Sequence, residues 1–166
     1  MKWTPTIVIA ACISMCFSFC SSSSKSAAPA IADDTRNIRK IEKEVVQLVN
    51  DYRQKKGLKP LKTVDEITVE AEKHSENMGK KKVAFGHGGF DVRYSRIQKA
   101  LPRIGGGAEN VAYGNVSVAN IVKGWINSPG HRQNMEGLFN LTGVGVYRDK
   151  KGVLFYTQIF FNQTRP

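Results

Sequence analysis

Trp125-Ile126-Asn127-Ser128-Pro129-Gly130-His131-Arg132-Gln133-Asn134 is the stretch that decides how this chain is read. An apolar helix runs into it and breaks at Ser-Pro-Gly, because a proline pushes the residue before it out of the helical region. The break leaves His131 in a bend, where it caps or starts the next short turn. Two earlier pieces have the same character: Phe85-Gly86-His87-Gly88, and Gly107-Ala108-Glu109-Asn110-Val111. Glycines beside His87 free its ring from helix or strand packing and let other groups approach closely. All three cysteines, Cys12, Cys16 and Cys20, lie in the first twenty residues, and no serine sits in a nucleophile elbow. Two histidines and one carboxylate therefore hold most of the recognisable chemistry.

The first residues read as an export signal. Lys2 is the only early charge, and Ile7 to Phe19 is a run of apolar and small residues too short to span a bilayer. Residues 1–20 are thus a signal peptide, and 21–34 a Ser/Ala/Pro-rich flexible tether with too little apolar mass to fold. Two endings are open. Lipidation of Cys20 would give an anchored lipoprotein; cleavage at Ala28-Pro29-Ala30 or Ala30-Ile31-Ala32 would release the chain. The distance of those alanine-flanked sites from the apolar run favours the anchor, although Phe19 is bulky for that cleavage. The expected location is the cell surface or periplasm, or the medium.

Without those cysteines the domain, residues 35–166, holds together by core packing alone, with no disulfide, thiolate nucleophile or Cys-based metal site. Its size suits one domain. The formal net charge of +11 comes from scattered lysines and arginines, which suits contact with anionic envelope surfaces. No nucleic-acid module is recognisable. Three Asn-x-Ser/Thr sequons, at Asn115, Asn140 and Asn162, read as chance occurrences, with Asn140 in a structural loop before a hairpin.

Periodicity predicts four helices followed by a hairpin. Asp34 or Thr35 caps a first helix carrying Ile38, Ile41, Val45, Leu48 and Tyr52, which Gly57 and Pro60 end. Thr63-Val64-Asp65-Glu66 reads as a capping box opening a second helix with Ile67, Ala71, His74 and Met78 on one face. A third helix runs from Asp91 through Ala100, Gly105-Gly106-Gly107 is a flexible turn, and Ser117 caps a fourth helix with Val118, Ile121, Val122 and Trp125 inward. Val144 and Val146 then alternate with Gly143 and Gly145, and a turn at Asp149–Gly152 leads to a second alternating strand. The small residues on one side of the first strand predict a helix packed very close to it. Helices with strands gathered late indicate an α+β fold.

Each chemical residue also has an ordinary structural reading. An isolated histidine among glycines is more often a turn residue bonding a carbonyl, and His74, on an apolar face, is by default a core or wall residue. Glu109 is harder to dismiss. A carboxylate among buried-type neighbours needs a partner, because unpaired burial costs several kcal/mol, and the two histidines are suitable ones.

In order and spacing, the three blocks resemble the CAP superfamily (cysteine-rich secretory proteins, antigen 5, pathogenesis-related 1; the SCP-like domain), and in particular its bacterial, cysteine-free branch. The resemblance covers Glu42 to Phe161. It implies a three-layer α-β-α sandwich around a small antiparallel sheet, and a central cleft with His87, Glu109 and His131 at its floor. Asn110 and Ser128 would line that cleft, Ser128 standing where animal members carry a second glutamate. Three functional readings compete. The favoured one is a non-enzymatic module binding a small apolar ligand or envelope component, with His87, His131 and Glu109 able to hold Zn2+ or another divalent cation. The second is a metal-dependent hydrolase, opposed by the missing second carboxylate and the lack of an activated Ser or Cys. The third is a structural or adhesive surface protein in which the three residues form a buried hydrogen-bonded cluster.

Overall fold

The computed structural model describes residues 28–164. The expected signal peptide, Cys20 and the first part of the tether lie outside the described residues. The elements are α1 (Ala28–Lys55), β1 (Lys62–Thr63), α2 (Asp65–Gly79), α3 (Phe90–Ala100), β2 (Ile104–Gly114), α4 (Val118–Asn127), α5 (Pro129–Glu136), β3 (Leu141–Arg148) and β4 (Leu154–Gln163). The fold is α+β. Its sheet has the order β1-β3-β4-β2, with β3–β4 and β4–β2 antiparallel and the two-residue β1 parallel to β3. The sheet is therefore mixed, where a purely antiparallel one was expected.

Two apolar clusters sandwich the sheet. On one face α1, α4 and α5 pack Val45, Val49, Ile121 and Trp125 onto Val144, Val146, Tyr156 and Phe160. On the other, α2 and α3 pack Ile67, Ala71 and Ile97 onto Leu141, Ile159 and Phe161. The alternation read from the sequence is what divides β3: Val144 and Val146 face α1, leaving Gly143 and Gly145 to α2. A Cβ on Gly143 would lie 2.3 Å from the Thr68 backbone nitrogen, and one on Gly145 1.9 Å from that of Glu72. The expected close helix is thus α2, seated on the sheet backbone itself.

Several expectations need correction. The capping box does not form: Val64 is the N-cap of α2 and no side chain caps it. Thr63 is instead drawn into β1, paired with Thr142, with the Val64 N–H donating to the Thr142 carbonyl at 2.9 Å. The first helix begins at Ala28, within the stretch read as a tether, instead of at an Asp34 or Thr35 cap. Gly105-Gly106-Gly107 is no flexible turn; it opens β2, a strand not foreseen. A register irregularity between Ile104 and Gly107 absorbs the extra residue, and Gly107 lies under the Phe161 ring, where a Cβ would come within 2.7 Å. The Ser117 cap is present, its hydroxyl accepting from the Asn120 N–H at 3.3 Å. Pro129 both follows α4 and starts α5 at its first position, where its missing N–H is harmless.

Two polar anchors, Arg53 buried and Asn140 exposed, tie the elements together. Arg53 of α1, 2% exposed, donates to the Lys59, Met135, Gly137 and Phe139 carbonyls, which ties the end of α5 to α1. Asn140 exchanges two bonds of 2.8 Å with the Gln163 backbone, so it is a structural loop residue. Among the described residues no helix is long and apolar enough to cross a membrane.

Candidate functional site

β2 is an edge strand, and its side chains alternate between the two helical layers. Glu109 points to the α2–α3 side and Asn110 to the α5 side, so the sequential pair Glu-Asn reaches both. The site is assembled around these two residues.

Glu109 is 5% exposed and both its oxygens are occupied. Arg93 of α3, itself 6% exposed, meets it as a fork: Nε donates to Oε2 and Nη2 to Oε1, each at 2.9 Å. A two-pronged guanidinium–carboxylate pair is among the strongest neutralising arrangements available to a buried acid. The His87 Nδ1 lies 3.0 Å from Oε1. Facing a carboxylate, that nitrogen carries the proton, so Nε2 is the free acceptor of the neutral ring. His87 itself is half exposed on its loop.

Two further groups fix the His87 loop. Arg93 Nη1 donates to the Gly88 carbonyl at 3.0 Å. His74, 3% exposed on α2, donates from Nε2 to the Gly86 carbonyl at 2.8 Å, and lies 3.9 Å from Glu109 Oε1. Its burial, reinforced by the positive Arg93, holds its pKa below the ordinary histidine value, against the opposing pull of the Gly86 bond and Glu109. His74 is thus a neutral wall residue that orients the loop.

On the α5 side, His131 Nδ1 is 2.9 Å from the Ser128 hydroxyl. The Asn110 amide donates to the His131 carbonyl at 3.1 Å, and Asn134 bridges the Glu109 carbonyl and the Asn110 side chain at 3.1 and 2.9 Å. Burial and the neighbouring His87 lower the His131 pKa, which keeps it neutral further into acid. The five expected cleft residues, His87, Glu109, His131, Ser128 and Asn110, are thereby linked to one strand. Arg93 was missed by sequence reasoning. Its signal was a cation four residues before Ile97 on the same face of a short helix, both of them buried.

The zinc set expected from His87, His131 and Glu109 meets a physical obstacle. The Glu109 carboxylate is already neutralised by a guanidinium, and a cation placed against it would sit beside that positive charge. Among the described residues no group of three or more His, Cys, Asp or Glu side chains is disposed to hold a metal ion. The residues present do not fit a three-ligand site that includes Glu109. They leave two imidazoles, each with Nδ1 engaged and Nε2 available.

Known proteins place the chain. A model of the cysteine-rich secretory protein family matches residues 46–160. The uncharacterized protein YkwD of Bacillus subtilis is 33% identical over 147 residues, covering 83% of this chain and 56% of that protein. The uncharacterized membrane protein YlbC of the same organism is 35% identical over 127 residues, 74% of this chain and 34% of that one. The chain thus spans about half or less of these relatives. Among solved structures, an extracellular SCP-domain protein of Bacillus anthracis superposes with a TM-score of 0.64 at 28% identity, over 75% of this chain and 41% of that one. A cysteine-rich secretory protein of Staphylococcus aureus gives 0.62 at 25% identity, over 75% and 39%. An outer surface protein of Borrelia burgdorferi shares the fold alone, with a TM-score of 0.63 at 18% identity over 75% and 94%. With its motif blocks gathered around one strand and the family model covering most of its length, the chain belongs to the cysteine-rich secretory protein (CAP) family.

Proposed function

We propose that this is an exported, non-enzymatic binding module that presents two imidazoles, His87 and His131, to a small apolar ligand or cell-envelope component. The observation that carries the reading is the clamp on Glu109. With both oxygens engaged by Arg93 and His87, the carboxylate orients one imidazole and is not a free base. The hydrolase reading loses support for the same reason. The solved relative described as an extracellular protein, together with the apolar N-terminal run, supports export; attachment through Cys20 is part of the same proposal.

Zinc serves as a probe of the two Nε2 atoms. Calorimetric titration at pH 7.5 should show weak uptake, consistent with only two protein ligands and water in the remaining positions. Uptake should disappear in His87→Ala and in His131→Ala, and persist in His74→Ala. It should weaken as pH falls through the ordinary imidazole range, since a protonated ring cannot coordinate. Equal uptake by the wild type and the His87→Ala/His131→Ala double variant would remove the paired presentation, leaving a structural hydrogen-bond cluster.

A further inference from the structure

Beyond the end of α2 the chain turns through Lys80, Lys81 and Lys82 and then exposes three large apolar side chains in the space of a few ångströms. Val83 is 38% exposed, Phe85 47% and, across on β2, Tyr113 59%. They are contiguous. The Phe85 ring meets Tyr113 edge-on with centroids 4.8 Å apart, and Tyr113 stacks on Phe155 of β4 at 5.7 Å and 18°. Together with Lys81 and Lys82 these residues line a groove of about 520 Å³. Joined apolar exposure of this kind marks a binding surface in a soluble domain, whereas single exposed residues do not.

The charge on the rim is one-sided. Lys80 is paired with Glu76, but among the described residues neither Lys81 nor Lys82 has a carboxylate within ion-pair distance. The groove therefore offers aromatic faces beside exposed lysines, Lys81 without a nearby acid and Lys82 shared with the Glu76 charge, in a protein whose formal charge is +11. An aromatic face is negative at its centre and attracts the weakly positive C–H side of a saturated ring, while the ammonium groups attract an acid on the same ring. Sugar rings that carry carboxylates have both properties. The rings line a shallow groove, which suits a chain lying along it, and the vesicle comparison tests a bilayer contact instead.

The geometry points to this groove as a binding site for an anionic polysaccharide with uronic-acid units, separate from the His87–His131 cleft. The aromatic corner of Phe85, Tyr113 and Phe155 stacks one sugar ring, and Lys81 and Lys82 take the carboxylates of that ring and its neighbour.

Affinity electrophoresis and calorimetry with polygalacturonate test it, with neutral dextran and phosphatidylglycerol vesicles as comparisons. Polygalacturonate should bind, dextran should not, and binding should weaken as salt rises. Tyr113→Ala and the double substitution Lys81→Ala/Lys82→Ala should each lower affinity about tenfold, with Phe85→Ala as an independent check on the aromatic corner. These side chains are exposed, so an unchanged melt will show that each variant is folded. His87→Ala and His131→Ala should leave polygalacturonate binding intact, which separates this site from the cleft. Absence of binding overturns the inference. So does binding that Tyr113→Ala leaves unaltered, which would reflect diffuse charge. Tyr113-dependent capture of the vesicles without capture of polygalacturonate would make the face a membrane contact and would also overturn it.

Discussion

Among the described residues two glutamates are buried, and they are treated in opposite ways. Glu109, on the α2–α3 side of the sheet, meets a guanidinium fork and an imidazole within 3.0 Å. Glu42, on α1, is 8% exposed and accepts one backbone bond, from the Val146 N–H on the outer edge of β3 at 3.0 Å. Burial pushes its pKa up to about 7; the Val146 bond opposes this and Glu72 adds to it. The groove of about 620 Å³ above it, between α1 and α2, is lined by both Glu42 and Glu72. The difference teaches that burial alone does not make a carboxylate available for chemistry. The residue in the motif is the neutralised one, and the residue with the strained charge is a strand-edge plug outside every motif. A carboxylate on an open edge also deters pairing with another strand.

Gly145→Ala should break the comparison outright. Helix α2 carries Glu72 toward Glu42 and His74 toward Glu109, and an added methyl meets α2 backbone that cannot yield. We expect loss of cooperative folding, or destabilisation above about 4 kcal/mol, by thermal melt. Arg93→Ala should come next. It leaves Glu109 buried without its countercharge, at about 3–5 kcal/mol. The double variant Arg93→Met/Glu109→Gln should recover much of that loss; a single variant as stable as wild type would show that the pair is not the neutralising contact.

Glu42→Gln should stabilise. In the folded chain Glu42 is protonated below about 7, while the unfolded carboxylate ionises above its ordinary value of 4.5. The native state therefore binds more protons between those values, and the stability contributed by Glu42 is present at low pH and lost as pH rises through 7. The variant should gain roughly 2 kcal/mol at pH 8, allowing for water reaching the side chain through the groove, and little at pH 4.5. A gain that does not vary with pH would place the cause elsewhere. The smallest effect concerns His74, whose lowered pKa has the opposite sign. Below 6.5 the unfolded histidine takes a proton that the buried one refuses, so stability falls with acid. Melts from pH 7 to 5 should show a shallower decline in His74→Gln, and one as steep as wild type would assign the acid limb to other groups.

Much of the molecule was legible because it depends on near neighbours. The faces of α1, α2 and α4, the Ser117 cap, the β3–β4 hairpin and the close helix over Gly143 and Gly145 all follow from spacings of two, three and four residues. What was missed depends on distant partners. β1 exists only because Lys62 and Thr63 meet Leu141 and Thr142, and that pairing removed the threonine from its expected cap. β2 looked like a glycine turn because its first residues have no side chains to show alternation; β4 lying alongside makes it a strand.

The candidate site divides along the same line. A glycine-flanked bend placed His87 by local backbone freedom, Pro129 at the start of α5 set His131 in the first turn of that helix, and the burial of Glu109 was readable from its apolar neighbours. The sequence by itself therefore determined the family, the α+β class, the cysteine-free core and the residues worth watching. Only the tertiary structure decided that Glu109 belongs to Arg93, that His74 holds the His87 loop from behind, and that Glu42 seals an open strand edge. The neutralising partner of a buried charge is set by which helix crosses which strand, and spacing along the chain does not encode that crossing.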